Sequence, residues 1–237
     1  MTTGPTTESG GGATRRRASL IEPGQVIAGR YEVPRLLGRG GMGEVWLAFD
    51  LKLRVDVALK DLAFVGDRNL EMARREVRAA REVVSPNVCR IFDLVDADGS
   101  ELVSMEYVDG HTLRELLSER SPLEIAEAQP IASQFLAGLE AIHAANLVHR
   151  DLKPDNVMIT RTGRVVIMDF GLARESSDSA ASVAGTPAYM PPEQIAGEPV
   201  DARTDVFAAG LVLAEMITPR SRDNIDGAPH HDTRVVV

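Results

Sequence analysis

The sequence is poor in cysteine, in excess positive charge and in long apolar runs, and each scarcity excludes a class of protein. Its single cysteine, Cys89, cannot form a disulfide within the chain, which fits a reducing cytoplasm, and it lies in an apolar run typical of a buried structural thiol. The net charge of −9 argues against nucleic acid as the main partner, because no basic face would offset phosphate repulsion. The longest apolar run, residues 206–217, contains Glu215 and is too short to cross a bilayer. The N-terminus lacks the apolar core of a signal peptide, so we expect a cytoplasmic protein without a membrane span.

The composition leaves room for one large domain or two small lobes. The 237 residues are 44% hydrophobic and 26% charged, which is typical of a globular protein. Residues 1–27 are rich in Gly, Thr, Ser and Arg without a hydrophobic period, and we interpret them as a disordered tail. We divide the rest into a first lobe over residues 28–109, a second lobe over 110–218 and an irregular polar tail over 219–237.

Hydrophobic periodicity predicts a sheet in the first lobe. Strand-like patterns cover residues 31–37, 44–49, 55–60, 88–95 and 101–108. A helix is predicted between the third and fourth of these, where Met72, Glu76, Ala79 and Val83 recur at helical spacing. The first lobe should therefore be a small, mainly antiparallel sheet with one helix.

The second lobe is predicted to be mainly helical. Residues 121–124 read Ser-Pro-Leu-Glu, a capping box ahead of a helix that Pro130 should kink or delay. Ile131, Phe135, Leu139 and Ile142 mark one apolar face of that helix. The final helix, residues 202–218, is apolar almost all round and should be buried on every side.

Residues 149–156 and 169–171 carry the chemistry. They read His-Arg-Asp-Leu-Lys-Pro-Asp-Asn and Asp-Phe-Gly, and they supply a base, an ammonium, an amide and a second carboxylate. Phosphoryl transfer needs this set: a base for a hydroxyl nucleophile, a cation for the migrating phosphate and two oxygen ligands for magnesium. The ordered pair of motifs resembles the protein kinase family.

The resemblance implies a role for each residue of the transfer site. Asp151 would accept or orient the proton of the substrate hydroxyl, and Lys153 would neutralise charge on the transferred phosphate. Asn156 and Asp169 would hold Mg²⁺. Lys153 favours Ser/Thr over Tyr substrates, and residues 185–190 resemble the floor for a protein substrate, with Thr186 near the base.

A glycine-rich turn is the candidate phosphate-binding loop. Gly38, Gly40 and Gly43 let the backbone approach phosphates closely. A dinucleotide-binding fold shares such a pattern, but there the turn opens a helix, whereas residues 44–49 alternate like a strand. A kinase-type hairpin lid is therefore favoured.

The resemblance also implies an ATP pocket. Lys60 would contact the α and β phosphates and pair with Glu76 of the following helix, with Glu71 as the alternative partner. Backbone groups of Glu106 and Val108 would bond the adenine edge, with Met105 guarding the rear of the pocket. The ring would lie among three apolar side chains, which could equally be plain core: Val45, Ala58 and Met158.

Regulation by phosphorylation is a further expectation. Arg150, next to the base, could pair with a phosphate in the activation loop. Loop hydroxyls are available for this at Ser176, Ser177, Ser179, Ser182 and Thr186. Asp205 resembles the buried aspartate of the family that anchors the backbone of the catalytic loop.

The pattern departs from the family at its end. A second proline, Pro191, precedes Pro192-Glu193, and only residues 219–237 follow the final helix, where the family continues with more helices, one of which supplies an arginine partner for the position of Glu193. We therefore expect an incomplete second lobe whose uncovered apolar face invites self-association.

The sequence thus predicts an α+β, two-lobed protein kinase fold: a small antiparallel N-lobe sheet with one helix and a mainly helical, incomplete C-lobe. The expected activity is ATP- and Mg²⁺-dependent phosphorylation of Ser/Thr hydroxyls in protein substrates. One alternative is a truncated, non-catalytic fragment that binds nucleotide or a partner. The other, a small-molecule phosphotransferase, is disfavoured by Lys153 and by residues 185–187.

Overall fold

The computed structural model describes residues 21–40, 43–62, 70–97, 100–170 and 187–219. In the first lobe, six strands form one antiparallel sheet in the order β1-β2-β3-β4-β6-β5. The strands are β1 Gln25–Ile27, β2 Tyr31–Gly40, β3 Gly43–Asp50, β4 Val55–Asp61, β5 Ile91–Ala97 and β6 Ser100–Glu106. Helix α1, Leu70–Arg81, precedes β5 and contacts it. The predicted sheet with one helix is confirmed.

The outer face of this sheet has its own apolar cluster. Trp46, Leu59 and Leu102 are buried there, and Ile21 and Ile27 pack with them. Residues 21–27 were predicted to belong to a disordered tail, and for this segment the prediction is wrong. Burying two isoleucines against the outer face of the sheet stabilises an ordered conformation of this segment, and β1 adds backbone hydrogen bonds to β2.

The second lobe contains the other elements. A three-stranded antiparallel sheet has the order β7-β8-β9. The strands are β7 Gly110–Thr112, β8 Val157–Thr160 and β9 Val165–Ile167, and the helices are α2 Leu113–Glu119, α3 Ile125–Ala144, α4 Pro192–Ile195 and α5 Ala202–Ile217. Two single-turn 3₁₀ helices cover Pro154–Asn156 and Pro187–Tyr189.

The capping box lies one helix earlier than predicted. Helix α3 begins at Ile125 and runs through Pro130, and its N-cap residue Glu124 makes no capping hydrogen bond with its side chain. Instead, Thr112 caps α2: its Oγ1 accepts from the Glu115 amide, and the Glu115 carboxylate accepts from the Thr112 amide. Thr112 leaves β7 in extended geometry, which is the conformation an N-cap needs.

One continuous core joins the two lobes. It includes Ala58 of the first sheet, Met158 of the second and Phe135 of α3. Helix α5 contributes Val212 to this core, but Val206 and Phe207 on the same helix are 60% and 45% exposed. Burial of α5 on every side is thus wrong, and self-association through the exposed side stays a prediction. In the part of the chain that the structure describes, the helices are all too short or too polar to span a membrane.

Candidate active site

A buried carboxylate holds the loop that carries the candidate base. Asp205, on the first turn of α5, is 1% exposed. Its oxygens accept from the backbone amides of His149 at 2.7 Å and Arg150 at 2.9 Å, and Nε2 of His143 lies 2.8 Å away. Arg150 has a left-handed φ of 68°, a conformation that costs a non-glycine residue free energy. The expected anchoring of the catalytic loop by Asp205 is confirmed, and it compensates for this strain.

The loop places two polar side chains around the carboxylate of Asp151. Nζ of Lys153 lies 2.8 Å from Oδ2 of Asp151. Nδ2 of Asn156 donates to the same oxygen at 3.1 Å and to the backbone oxygen of Asp151 at 2.7 Å. The structure therefore brings both Lys153 and Asn156 within hydrogen-bond distance of Asp151, as the motif predicts.

His149 orients the base from behind. Its Nδ1 accepts from the Asp151 amide at 3.3 Å, so in the neutral ring the proton is on Nε2, which lies 2.8 Å from the Met168 carbonyl. The ring is fully buried. His149 thus connects the loop of Asp151 to the residue preceding Asp169.

Lys60 and Asp169 form an ion pair between the two lobes. Nζ of Lys60 lies 2.6 Å from Oδ1 of Asp169, and the lysine side chain is 2% exposed. Burial opposes ionisation of Asp169, but the neighbouring ammonium of Lys60 outweighs it and holds the pKa of this carboxyl below its ordinary value. Asp169 is therefore an anion at neutral pH.

The predicted pair of Lys60 with Glu76 is not formed in this conformation. Among the described residues, Glu76 pairs instead with Arg150, whose Nη1 lies 3.1 Å from its carboxylate. The alternative partner, Glu71, pairs with Arg74 on the surface. The physical reason is that each cation takes the carboxylate nearest to it: Asp169 reaches Lys60 inside the cleft, and α1 presents Glu76 to the catalytic loop.

Asn156 and Asp169 are suitable ligands for a divalent cation. The Met168 amide donates to the Asn156 carbonyl at 2.9 Å, which brings the loop of Asn156 beside the residue before Asp169. Nδ2 of Asn156 is used within the protein, which leaves its amide oxygen as the donor atom for a metal. One carboxylate and one amide oxygen fit Mg²⁺, which commonly takes few protein ligands and completes its shell with phosphate oxygens and water.

The expected adenine pocket has an apolar lining and an available donor. Val45, Ala58 and Met158 are all buried in the core that joins the lobes, and Met105 pairs with Ala58 across β4 and β6. The Glu106 amide donates to the Arg90 carbonyl at 2.8 Å. Within the described hydrogen bonds the Val108 amide donates to no protein acceptor, which leaves it for a ligand.

The glycine-rich turn is described only in part. Gly38 pairs with Val45 and Gly40 with Gly43 across β2 and β3, so the hairpin geometry is confirmed. Gly43 has a φ of 113°, a region that favours glycine. The expected phosphoacceptors lie outside the described residues: Ser176, Ser177, Ser179, Ser182 and Thr186.

Comparison with known proteins identifies the family to which this geometry belongs. The family model described as the protein kinase domain matches residues 31–227. The chain belongs to the protein kinase domain family. Its fold, a curled antiparallel N-lobe sheet above several helices, is that of a partial two-lobed kinase.

Several bacterial kinases are similar to this chain. A probable serine/threonine-protein kinase of Corynebacterium efficiens is 42% identical over 208 residues, covering 82% of this chain and 32% of its own length. The probable serine/threonine-protein kinase PknB of Bifidobacterium longum is 40% identical, covering 85% and 32%. The serine/threonine-protein kinase PrkC of Bacillus subtilis is 37% identical, covering 83% and 32%. The chain thus spans about a third of the length of the curated relatives it matches.

A polar cluster beside the catalytic loop was not predicted. Arg114 of α2 contacts Asp155 in the catalytic loop, Tyr189 in the 3₁₀ helix Pro187–Tyr189 and Glu215 of α5. These residues come from four separate parts of the chain. No local spacing relates them, so the sequence carried no signal for the cluster.

Proposed function

We propose that this kinase domain is an ATP- and Mg²⁺-dependent protein serine/threonine kinase that works in the cytoplasm on protein substrates. The observation that carries the proposal is the joint position of Asp151, Lys153 and Asn156 in a loop that buried Asp205 fixes. The printed names of the similar bacterial proteins support serine/threonine specificity.

In this proposal Asp151 acts on the acceptor hydroxyl. The hydroxyl oxygen attacks the γ-phosphorus of ATP, the bond from that phosphorus to the β,γ-bridging oxygen breaks, and ADP leaves. The hydroxyl proton passes to Asp151, whose carboxylate the hydrogen bond from Asn156 orients. Lys153 offers its ammonium to the phosphoryl group during transfer, at the expense of its contact with Asp151.

The nucleotide would be held by both lobes. Gly38, Gly40 and Gly43 approach the phosphates from the hairpin, and the Val108 amide donates to the adenine ring. Asp169 and Asn156 would hold Mg²⁺, which supplies charge neutralisation on the β and γ phosphates when it is bound.

Lys60 and Glu76 each pair with another residue in this conformation, and these two ion pairs suggest how the domain is regulated. In kinases the strand lysine must engage the helix glutamate for transfer, whereas here Arg150 holds Glu76 and Asp169 holds Lys60. A phosphate on one of the loop acceptors would compete for the Arg150 guanidinium as a stronger anion. Glu76 would then be released toward Lys60. Phosphorylation of the loop is thus proposed to activate the domain.

The test is the intact mass of the protein before and after incubation with Mg-ATP. We expect mass to increase in steps of one phosphate, and we expect tandem mass spectrometry to place phosphate on Ser or Thr. Asp151→Asn should abolish the increase, and Asp201→Asn, at an exposed helix N-cap, is the matched control.

The same samples distinguish the alternatives. A folded protein that binds ATP but gains no mass, and that phosphorylates no Ser/Thr peptide, would replace this proposal with a non-catalytic nucleotide-binding function. Transfer to sugars or choline but not to peptides would indicate a small-molecule phosphotransferase. Mass gain that persists in Asp151→Asn would show that another group acts as the base.

A further inference from the structure

The cluster around Arg114 lies beside the catalytic loop and contains two carboxylates for one guanidinium. Nε of Arg114 lies 3.2 Å from Oδ2 of Asp155, and Nη1 lies 2.7 Å from Oε1 of Glu215. Nη2 donates to the hydroxyl of Tyr189 at 2.6 Å, and that hydroxyl donates to Glu215. The guanidinium also lies 5.5 Å from the centroid of the Tyr189 ring.

The cluster is accessible from solvent. The side chains of Arg114 and Asp155 are 25% and 45% exposed, and that of Glu215 is 19% exposed. Among the described residues it contains one guanidinium and two carboxylates. Removing the guanidinium would therefore leave two carboxylates, a phenol and an opening of guanidinium size.

The cluster is close enough to the transfer site for a peptide substrate to touch both. Asp155 follows Asp151 by four residues, so their Cα atoms are separated by at most about 14 Å. An extended peptide covers that span with about four residues. Tyr189 lies three residues after Thr186, within residues 185–190, which resemble the floor for a protein substrate.

We propose that Arg114 is a specificity-determining residue, because its guanidinium occupies an acidic subsite that would otherwise bind an arginine of the peptide substrate. The inference rests on the proposed kinase function and names the substrate class of that site: peptides without a basic residue near the acceptor. A substrate arginine must displace an internal guanidinium that already has three polar partners and a stacked ring. The Arg114 guanidinium belongs to the same chain as its partners, so its contacts do not require the loss of translational and rotational freedom that binding of a peptide requires. It therefore outcompetes a substrate arginine.

The test compares two labelled peptides that differ in one residue. Both contain a single serine acceptor, and an arginine in one is replaced by glutamine in the other, scanned over the four positions on each side of the serine. Binding is measured by fluorescence anisotropy without ATP, and phosphorylation rates are measured separately. The variants are Arg114→Met, which keeps the apolar stem, and Arg114→Met with Asp155→Asn. Arg120→Met, at the C-cap of the same helix, is the matched control; Arg120 pairs with Glu127 at 2.9 Å.

We expect the wild-type domain and Arg120→Met to bind the two peptides almost equally at every position. Arg114→Met should prefer the arginine peptide by roughly tenfold at one or two positions, as one charge-assisted contact with a carboxylate provides. Adding Asp155→Asn should remove most of that preference. A lost preference in the double variant distinguishes an acidic subsite from a general rise in negative charge.

Equal binding of the two peptides by folded Arg114→Met would overturn the proposal, as would failure of that variant to bind either peptide. If Arg114→Met does not fold, Arg114→Gln serves instead, since its neutral amide removes the internal charge but can still hydrogen-bond, and a wild-type binding ratio would then refute the subsite. Because anisotropy needs no transfer, absence of phosphorylation in every sample would contradict the kinase activity and leave the binding comparison decisive for Arg114.

Discussion

Replacing Asp205 by asparagine is the sharpest test of how the fold holds its candidate base. The carboxylate is 1% exposed and accepts from two backbone amides, with His143 as a third partner. Asparagine has the same shape but one acceptor oxygen fewer, so its amide group must face at least one of these donors. The most favourable orientation keeps the oxygen toward His143 and His149 and loses the bond to Arg150.

The expected cost follows from that single loss. A hydrogen bond to a charged acceptor contributes about 1.5–3 kcal/mol, and a buried donor left unsatisfied costs about 1–3 kcal/mol. The two values overlap in what they count, so we expect Asp205→Asn to lower the free energy of unfolding by about 2–4 kcal/mol. Against a typical total of about 5–15 kcal/mol, this is a large fraction.

Urea denaturation followed by circular dichroism measures the effect through the midpoint at constant m-value. Asp201→Asn is the matched control in the same helix: Asp201 caps α5 at the surface, and asparagine is an equally good N-cap residue. That variant should unfold at the wild-type midpoint. If the two variants have the same midpoint, Asp205 does not anchor the loop, and the reasoning from its three contacts is refuted.

Three other predictions concern packing, pH and thiol reactivity. Gly138→Ala should lower stability by about 1–3 kcal/mol, because its Cβ would lie 2.5 Å from a backbone carbonyl oxygen, whereas Gly210→Ala, with open space around it, should raise stability by up to about 1 kcal/mol in the same denaturation assay. Hydrogen bonding to Arg30 lowers the pKa of Asp50 in the folded protein, so ionised Asp50 stabilises the fold above the pKa of the unfolded chain, and this stabilisation is lost as pH falls. Asp50→Asn should therefore weaken the pH dependence of stability below about pH 4, and an unchanged profile would contradict this. Burial raises the pKa of Cys89, so the folded protein should react with a disulfide reagent at pH 8 at least about a hundredfold more slowly than the urea-unfolded chain, and equal rates would show that the thiol is accessible.

Local patterns were sufficient where the chemistry is local. The glycine hairpin, the catalytic motif and the apolar face of α3 were all predicted from residues adjacent in sequence, and the structure has them. The capping box was predicted at residues 121–124, but the structure has it at Thr112 and Glu115, which have the same three-residue spacing. The deciding fact was that Thr112 directly leaves β7, which only strand pairing with β8 establishes.

The predicted tail boundary failed for a similar reason. Residues 21–27 were grouped with the preceding stretch, which is rich in Gly, Thr, Ser and Arg, and periodicity alone gives no reason to order them. Ile21 and Ile27 are ordered because the outer face of the sheet around Trp46 would otherwise expose apolar surface to water. This apolar face exists only once the sheet has formed, so the sequence of residues 21–27 alone does not indicate that they are ordered.

The sequence by itself determined the fold family, the position of the catalytic loop and the identity of the polar groups in it, because each depends on spacing along the chain. The tertiary structure alone decided which charges meet. Lys60 pairs with Asp169, Glu76 pairs with Arg150, and Arg114 lies among groups from three other segments. An ion pair depends on distance and burial in three dimensions. The distance between residues far apart in sequence is set only when the core that joins the lobes has formed.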